Sequence, residues 1–190
     1  MSRRAWAWGV PAAVLVLAAL GSFYATSTPR YALYRLGVAM QRHDVASAER
    51  YFDVERIADR ATEVIVADYL ARQPEPTSAA ELFGRQIAGN MAKRRLRPQV
   101  VTRVRLEIRR SVERAGIQVT ALVLPVGAVA VFRAFEVSSA GPDVWVTYRD
   151  PAQGPVRFRM SRQADRGWQI SEFDPEWVRR RAQEEPPRIR

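Results

Sequence analysis

"FEVSSAGPDVWVTYRDPAQGPVRFRMSRQADRGWQISEF", residues 135–173, alternates apolar and polar residues in short runs broken at "AGP", "PAQG" and "QADR". A period of two marks a half-buried strand, and Gly, Pro and Asp between the runs supply the turns. "FEVSS", "DVWVTYRD", "PVRFRMSR" and "GWQISEF" therefore read as an antiparallel meander of three to four strands. Upstream the period is that of a helix. Helices first and sheet afterwards predict an α+β domain.

Working back from the sheet, "LPVGAVAVFRAF" (124–135) fits either a short helix or an extra strand. Residues 100–115 alternate locally at "VRLEI". At 100° per residue, however, Val100, Val101, Val104, Ile108, Val112 and Ala115 fall within an arc of about 120°, which predicts a fifth helix with Leu106 outside the arc. Pro98 is expected to end the helix before it. That fourth helix opens on a Ser78–Glu81 capping box and carries Leu82, Phe83, Ile87 and Met91. "RQPEPTS" separates it from a third helix, capped by Asp53 and running to about Ala71, with Val54, Ile57, Ala61, Val64 and Ile65 turned to a core.

Thr28 followed by Pro29 is an N-cap and a first-turn proline. The first helix runs to about Arg42, with Leu33, Leu36 and Met40 beside Tyr34, Val38 and Gln41. His43-Asp44 makes a turn, and Asp44 caps a second short helix through Tyr51. Beyond the sheet, Asp174-Pro175-Glu176 opens a short C-terminal helix carrying Trp177 and Val178, and "EEPPRIR" is a frayed tail. The domain limits expected are 31–182, with a tail over 183–190.

Residues 5–24, "AWAWGVPAAVLVLAALGSFY", contain no charge. As a helix they span about 30 Å, a bilayer core. Arg3 and Arg4 precede the run, and Trp6, Trp8 and Tyr24 lie near its ends. This predicts a transmembrane signal anchor after a four-residue tail, followed by a linker over 25–30. A cleaved signal peptide ending at "ALG" is the competing reading. Arg30, Arg35 and Arg42 weaken the charge asymmetry, but a short N-terminal tail favours a signal anchor. The expected location is thus single-pass in the cell inner membrane, with the domain on the periplasmic side.

"PRYALYRLGVAMQRHDVASAERYFDVERI", residues 29–57, resembles a bacterial membrane-anchored family catalogued as domain of unknown function 2939. The matching positions are Pro29, Tyr31, Ala32, Leu33, Tyr34, Leu36, Ala39, Asp44, Tyr51 and Asp53. The resemblance implies an N-terminal anchor and brings no activity or site residues. The order of elements also resembles the cone-shaped nuclear-transport-factor-like fold, which hosts both enzymes and binding modules.

Several chemistries are removed by composition. There is no cysteine, hence no thiolate nucleophile and no cysteine-held zinc. His43 is the single histidine, and no GxSxG, phosphate-binding loop or HExxH occurs. Asp44, Asp53 and Asp174 could be imagined as acid–base groups, but each stands where an N-cap belongs. Trp145, Trp168, Trp177, Tyr31, Tyr34 and Tyr51 could line a pocket, but an aromatic core accounts for them. The reading expects no catalytic residue, no cofactor and no metal. It favours a non-enzymatic binding or accessory module near the membrane, with a small-ligand-binding or hydrolytic pocket as the alternative.

Charge is uneven along the chain. Residues 85–114 hold ten basic and two acidic groups, whereas 25–84 hold seven and nine. Arg103, Arg110 and Arg114 fall within about 40° of one another on a helix, and Arg94 and Arg95 come shortly before. These five are the expected contacts for an anionic lipid surface or an acidic protein partner. Nucleic acid is not expected, because a periplasmic domain rarely meets it.

Overall fold

The structure is a computed structural model, and it describes residues 28–115, 135–150, 154–165 and 167–184. The expected anchor over 5–24, half of the expected linker, the "LPVGAVAVFRA" segment and the last residues of the tail lie outside these. Five helices and four strands follow in chain order among the described residues. They are α1 Pro29–Gln41, α2 Val45–Glu49, α3 Val54–Ala71, α4 Ala79–Ala115, β1 Phe135–Ala140, β2 Asp143–Asp150, β3 Gly154–Gln163, β4 Gly167–Phe173 and α5 Pro175–Glu184. The α+β expectation holds, with a helical half, a four-stranded antiparallel meander in the order β1-β2-β3-β4, and a C-terminal helix.

The caps fall where local chemistry puts them. Oγ1 of Thr28 accepts from the Tyr31 amide at 3.2 Å, Oδ1 of Asp44 from Ser47 at 3.0 Å, and Oδ1 of Asp53 from Arg56 at 3.1 Å. At the start of α4 the box is displaced by one residue. Ser78 caps the Glu81 amide at 3.2 Å, but the Glu81 carboxylate reaches back to the Thr77 amide at 2.6 Å. Hydrogen bonds from the Thr77 amide and hydroxyl hold this carboxyl below the usual carboxylate range.

One expectation fails. Pro98 does not end a helix: α4 runs without interruption for 37 residues, about 55 Å. A proline inside a helix costs roughly 3 kcal/mol through its missing N–H and the clash with the carbonyl four residues back. Leu96 and Val100 flank it, and both are buried. Burial of such side chains contributes about 1.5–3 kcal/mol each, enough to offset the proline. Arg97 adds a clamp to α3, bound to Glu55 at 2.8 Å and to Asp59.

The two helices form an antiparallel hairpin. Near its far end, α3 and α4 approach closely at Gly89, where a Cβ would stand 3.1 Å from Leu70 and 3.9 Å from Val66. Near Arg97 the hairpin meets the N-terminal turn of α3. Beyond this point α4 leaves α3 and packs on α1 and α2, so Ile108 and Val112 join Leu33, Leu36 and Ala39 in the core. The arc from Val100 to Val112 is largely on the packed side, as its spacing predicts, and Leu106 is exposed. Leu82, Phe83, Ile87 and Met91 also lie in water, because the buried side of this half belongs to Gly89 and Leu96.

The sheet turns Val144, Val146, Phe158, Met160 and Ile170 to the same core. Its register shifts between Arg159 and Met160: Met160 pairs with Ile170, but Arg159 pairs with Glu172. Ser171 is the extra residue of this bulge. It lets Ile170 and Phe173 both reach the core despite their odd spacing.

Candidate binding cleft

The cleft is built where three helices and the end of β4 converge. Ile57, Ala61 and Ile65 line it from α3, and Val100 and Val104 from α4. Phe173, Trp177 and Val178 close the remaining side, and about 230 Å³ is left between them. Asp174 sets that side. Its amide donates to the Arg157 carbonyl at 2.9 Å, and its Oδ1 accepts from the Glu176 amide at 2.9 Å. This turns the chain sharply from β4 into α5 and stacks Trp177 on Phe173, with ring centroids 4.9 Å apart.

Gln99, Arg103, Glu107 and Arg181 form the polar margin. Glu107 is the single acid among these lining residues. Its Oε1 accepts from Arg114 at 3.0 Å and from Arg181 at 3.3 Å. Arg181 in turn holds Glu184 at 2.9 Å. Two guanidinium groups thus share one carboxylate oxygen, which commits the side chain to ion pairs at the margin. The cleft can therefore hold an apolar group against Trp177 and orient a polar end at its margin.

The five arginines singled out by charge separate into two groups. Arg103 lines the cleft, Arg114 is committed to Glu107 and to the Arg110 carbonyl, and Arg110 is exposed on the same side of α4. Arg94 and Arg95 are exposed elsewhere along the helix. Continuity of α4 through Pro98 sets these azimuths, so the five do not make one face.

The three aspartates considered as acid–base groups are N-caps, as their positions predict. Asp53 carries a second bond, accepting from Gln163 Nε2 at 2.9 Å. His43 is exposed and has a positive φ of 53°. Its Nδ1 lies 3.2 Å from the Val112 carbonyl, which docks the turn onto α4. Among the aromatics, Trp168 packs against the core. Trp145 instead stands on the outer sheet face under the Arg157 guanidinium, 4.7 Å from the ring centroid. Trp177 is a cleft wall. On the same outer face Arg159 bridges Asp143 and Glu172, a cross-strand ion cluster.

Sequence reasoning took Ile57, Ala61 and Ile65 for core positions. No local signal separates an apolar residue that meets a neighbour from one that faces a gap. Among the described residues no cluster of three metal-ligating side chains occurs, and no helix is long and apolar enough to cross a membrane.

An α+β domain with a helical hairpin clasped to a meander and a small apolar cleft is the class these observations define. Residues 16–104 match the model of a family described as a protein of unknown function, DUF2939. The resemblance drawn from the stretch between Pro29 and Ile57 is thus confirmed over a longer segment. No curated protein and no solved structure matches the chain.

Proposed function

We propose that this is a single-pass protein of the cell inner membrane whose periplasmic α+β domain is a non-enzymatic binding module, with the cleft as its binding site. The observation that carries the binding reading is Glu107, the one acid in the lining, held between Arg114 and Arg181 beside apolar walls. A carboxylate tied into two ion pairs beside apolar walls suits recognition of a partner. The anchor reading is supported by the charge-free run from residue 5 to residue 24 after Arg3 and Arg4.

Alkaline carbonate extraction with a C-terminal reporter tests the anchor. A shortened soluble product, or reporter activity confined to the cytoplasm, would sink it. For the cleft, Ala61→Phe fills the space while keeping a good helix former. Affinity purification of the full chain in mild detergent should then lose the partner that the parent retains. Identical retention by both would remove the cleft from the proposal.

A small-ligand-binding or hydrolytic pocket in a cone-shaped fold is the second reading. It draws on the volume of about 230 Å³, room for a small aliphatic or aromatic group. Hydrolysis would require Glu107 to leave both arginines. Arg114→Gln together with Arg181→Gln should then raise any activity, and a loss of activity would point away from Glu107 as a base.

A further inference from the structure

The first half of α4 carries an apolar surface that stands exposed among the described residues. Phe83, Ile87 and Met91 recur at every fourth residue and are 66%, 45% and 60% exposed. On a helix they occupy an arc of about 80°, turned roughly 170° away from the side where Gly89 and Leu96 meet α3. The other residues on that arc are Ala80, Gly84 and Asn90, all exposed and uncharged. The next two, at its C-terminal end, are Arg94 and Arg95. Both are exposed, and neither takes an ion pair among the described residues. Their neighbours differ: Arg97 holds Glu55 and Asp59, and Arg105 lies 3.7 Å from Glu55.

We propose that this strip of α4 lies on an anionic bilayer surface, with Phe83, Ile87 and Met91 entering the headgroup boundary and Arg94 and Arg95 reaching lipid phosphates. Three large apolar side chains in a row facing water, bounded by uncommitted cations, have the composition of an interfacial helix. Each arginine near such a surface strengthens binding about fivefold at moderate salt. Charge decides against a second copy of the chain. Pairing two strips would need carboxylates opposite Arg94 and Arg95, but the arc has none, and nearby Glu81 is engaged by Thr77. The proposal rests on the anchored reading for proximity to the bilayer alone.

The chain lacks cysteine, so Met91→Cys accepts a single environment-sensitive fluorophore. The labelled full-length protein is reconstituted into vesicles of phosphatidylcholine, with or without phosphatidylglycerol, carrying nitroxide on lipid headgroups. The expected result is quenching in the anionic vesicles at low salt, relieved as salt rises. A label at Ser139→Cys, on the β1–β2 hairpin, reports the background. Arg94→Glu with Arg95→Glu should lower the strip's binding roughly tenfold or more, with circular dichroism unchanged. Equal quenching in neutral and anionic vesicles, or none in either, overturns the proposal. A blue shift that fades as lipid is added at constant protein would identify a second copy as the occupant. Should carbonate release the chain, the same label on the released protein with added vesicles still reads the strip, so failure of the anchor and of the strip are separate results.

Discussion

The Asp53 amide donates to the Ile170 carbonyl at 2.8 Å, and the Ile170 amide returns a bond of 2.8 Å to Tyr51. These two bonds splice the α2–α3 junction onto the free edge of β4, with Phe52 bridging Ile170 in parallel. Tyr51 and Asp53 therefore have a structural task. Their peptide units seal a sheet edge that would otherwise present unpaired groups. Gln169 extends the seam, its Nε2 bonding the Arg50 carbonyl at 2.6 Å, and Arg56 reaches Ser161 at 3.2 Å.

Asp53 serves α3 and the sheet together, through Arg56 on one oxygen and Gln163 on the other. Asp53→Ala should destabilise the domain by about 1–2 kcal/mol, the range for a lost N-cap. Asp53→Asn should retain most of the cap. In urea denaturation, an Ala variant as stable as the parent would show that neither bond matters. Combining it with Gln163→Ala should cost less than the sum of the two single changes.

At Gly89, α3 and α4 approach closely. Gly89→Val places branched carbon atoms against Leu70 and Val66, so it should destabilise by about 1–3 kcal/mol. Leu70→Ala in the same chain should recover part of that loss by vacating the space. If Gly89→Val melts at the parent temperature, the helices do not pack at this distance.

Pro98 gives a prediction of opposite sign. Because α4 passes through it, Pro98→Ala should supply the missing bond to the Arg94 carbonyl and stabilise the domain by about 1–3 kcal/mol. Helical circular dichroism should hold or rise. A fall in stability would mean that the proline's fixed backbone angle contributes more here than the added bond.

Acid should loosen the start of α4. The Glu81 carboxyl titrates below its unfolded value, so its stabilisation is complete above the unfolded pKa and is lost as pH falls through the folded one. Parent and Glu81→Gln should therefore differ in melting temperature near ~pH 6 and converge toward ~pH 3. A constant difference across that range would exclude the bonds from Thr77 as the cause. Asp44, lowered by its bonds from Ser47, adds a loss in the same direction to both proteins.

The elements of this protein were legible in its sequence because their signals act over a few residues. Asp44, Asp53 and Asp174 cap helices by bonding amides two or three positions on, and alternation over residues 135–173 needs no knowledge of distant chain. The α+β class followed from those local facts. Tertiary structure decided which faces are used. Pro98 reads as a helix end, but α3, some forty residues earlier, buries Leu96 and Val100 on either side of it. Phe83, Ile87 and Met91 are plain in the sequence as apolar residues of a helix, but α3 takes the opposite side at Gly89 and leaves them in water. The cleft was illegible for the same reason. Ile57 and Val104 are ordinary apolar residues in sequence, and only the bonds at Asp174 that bring Trp177 over them define a space. Burial is a property of two surfaces, whereas a cap or a period is a property of one.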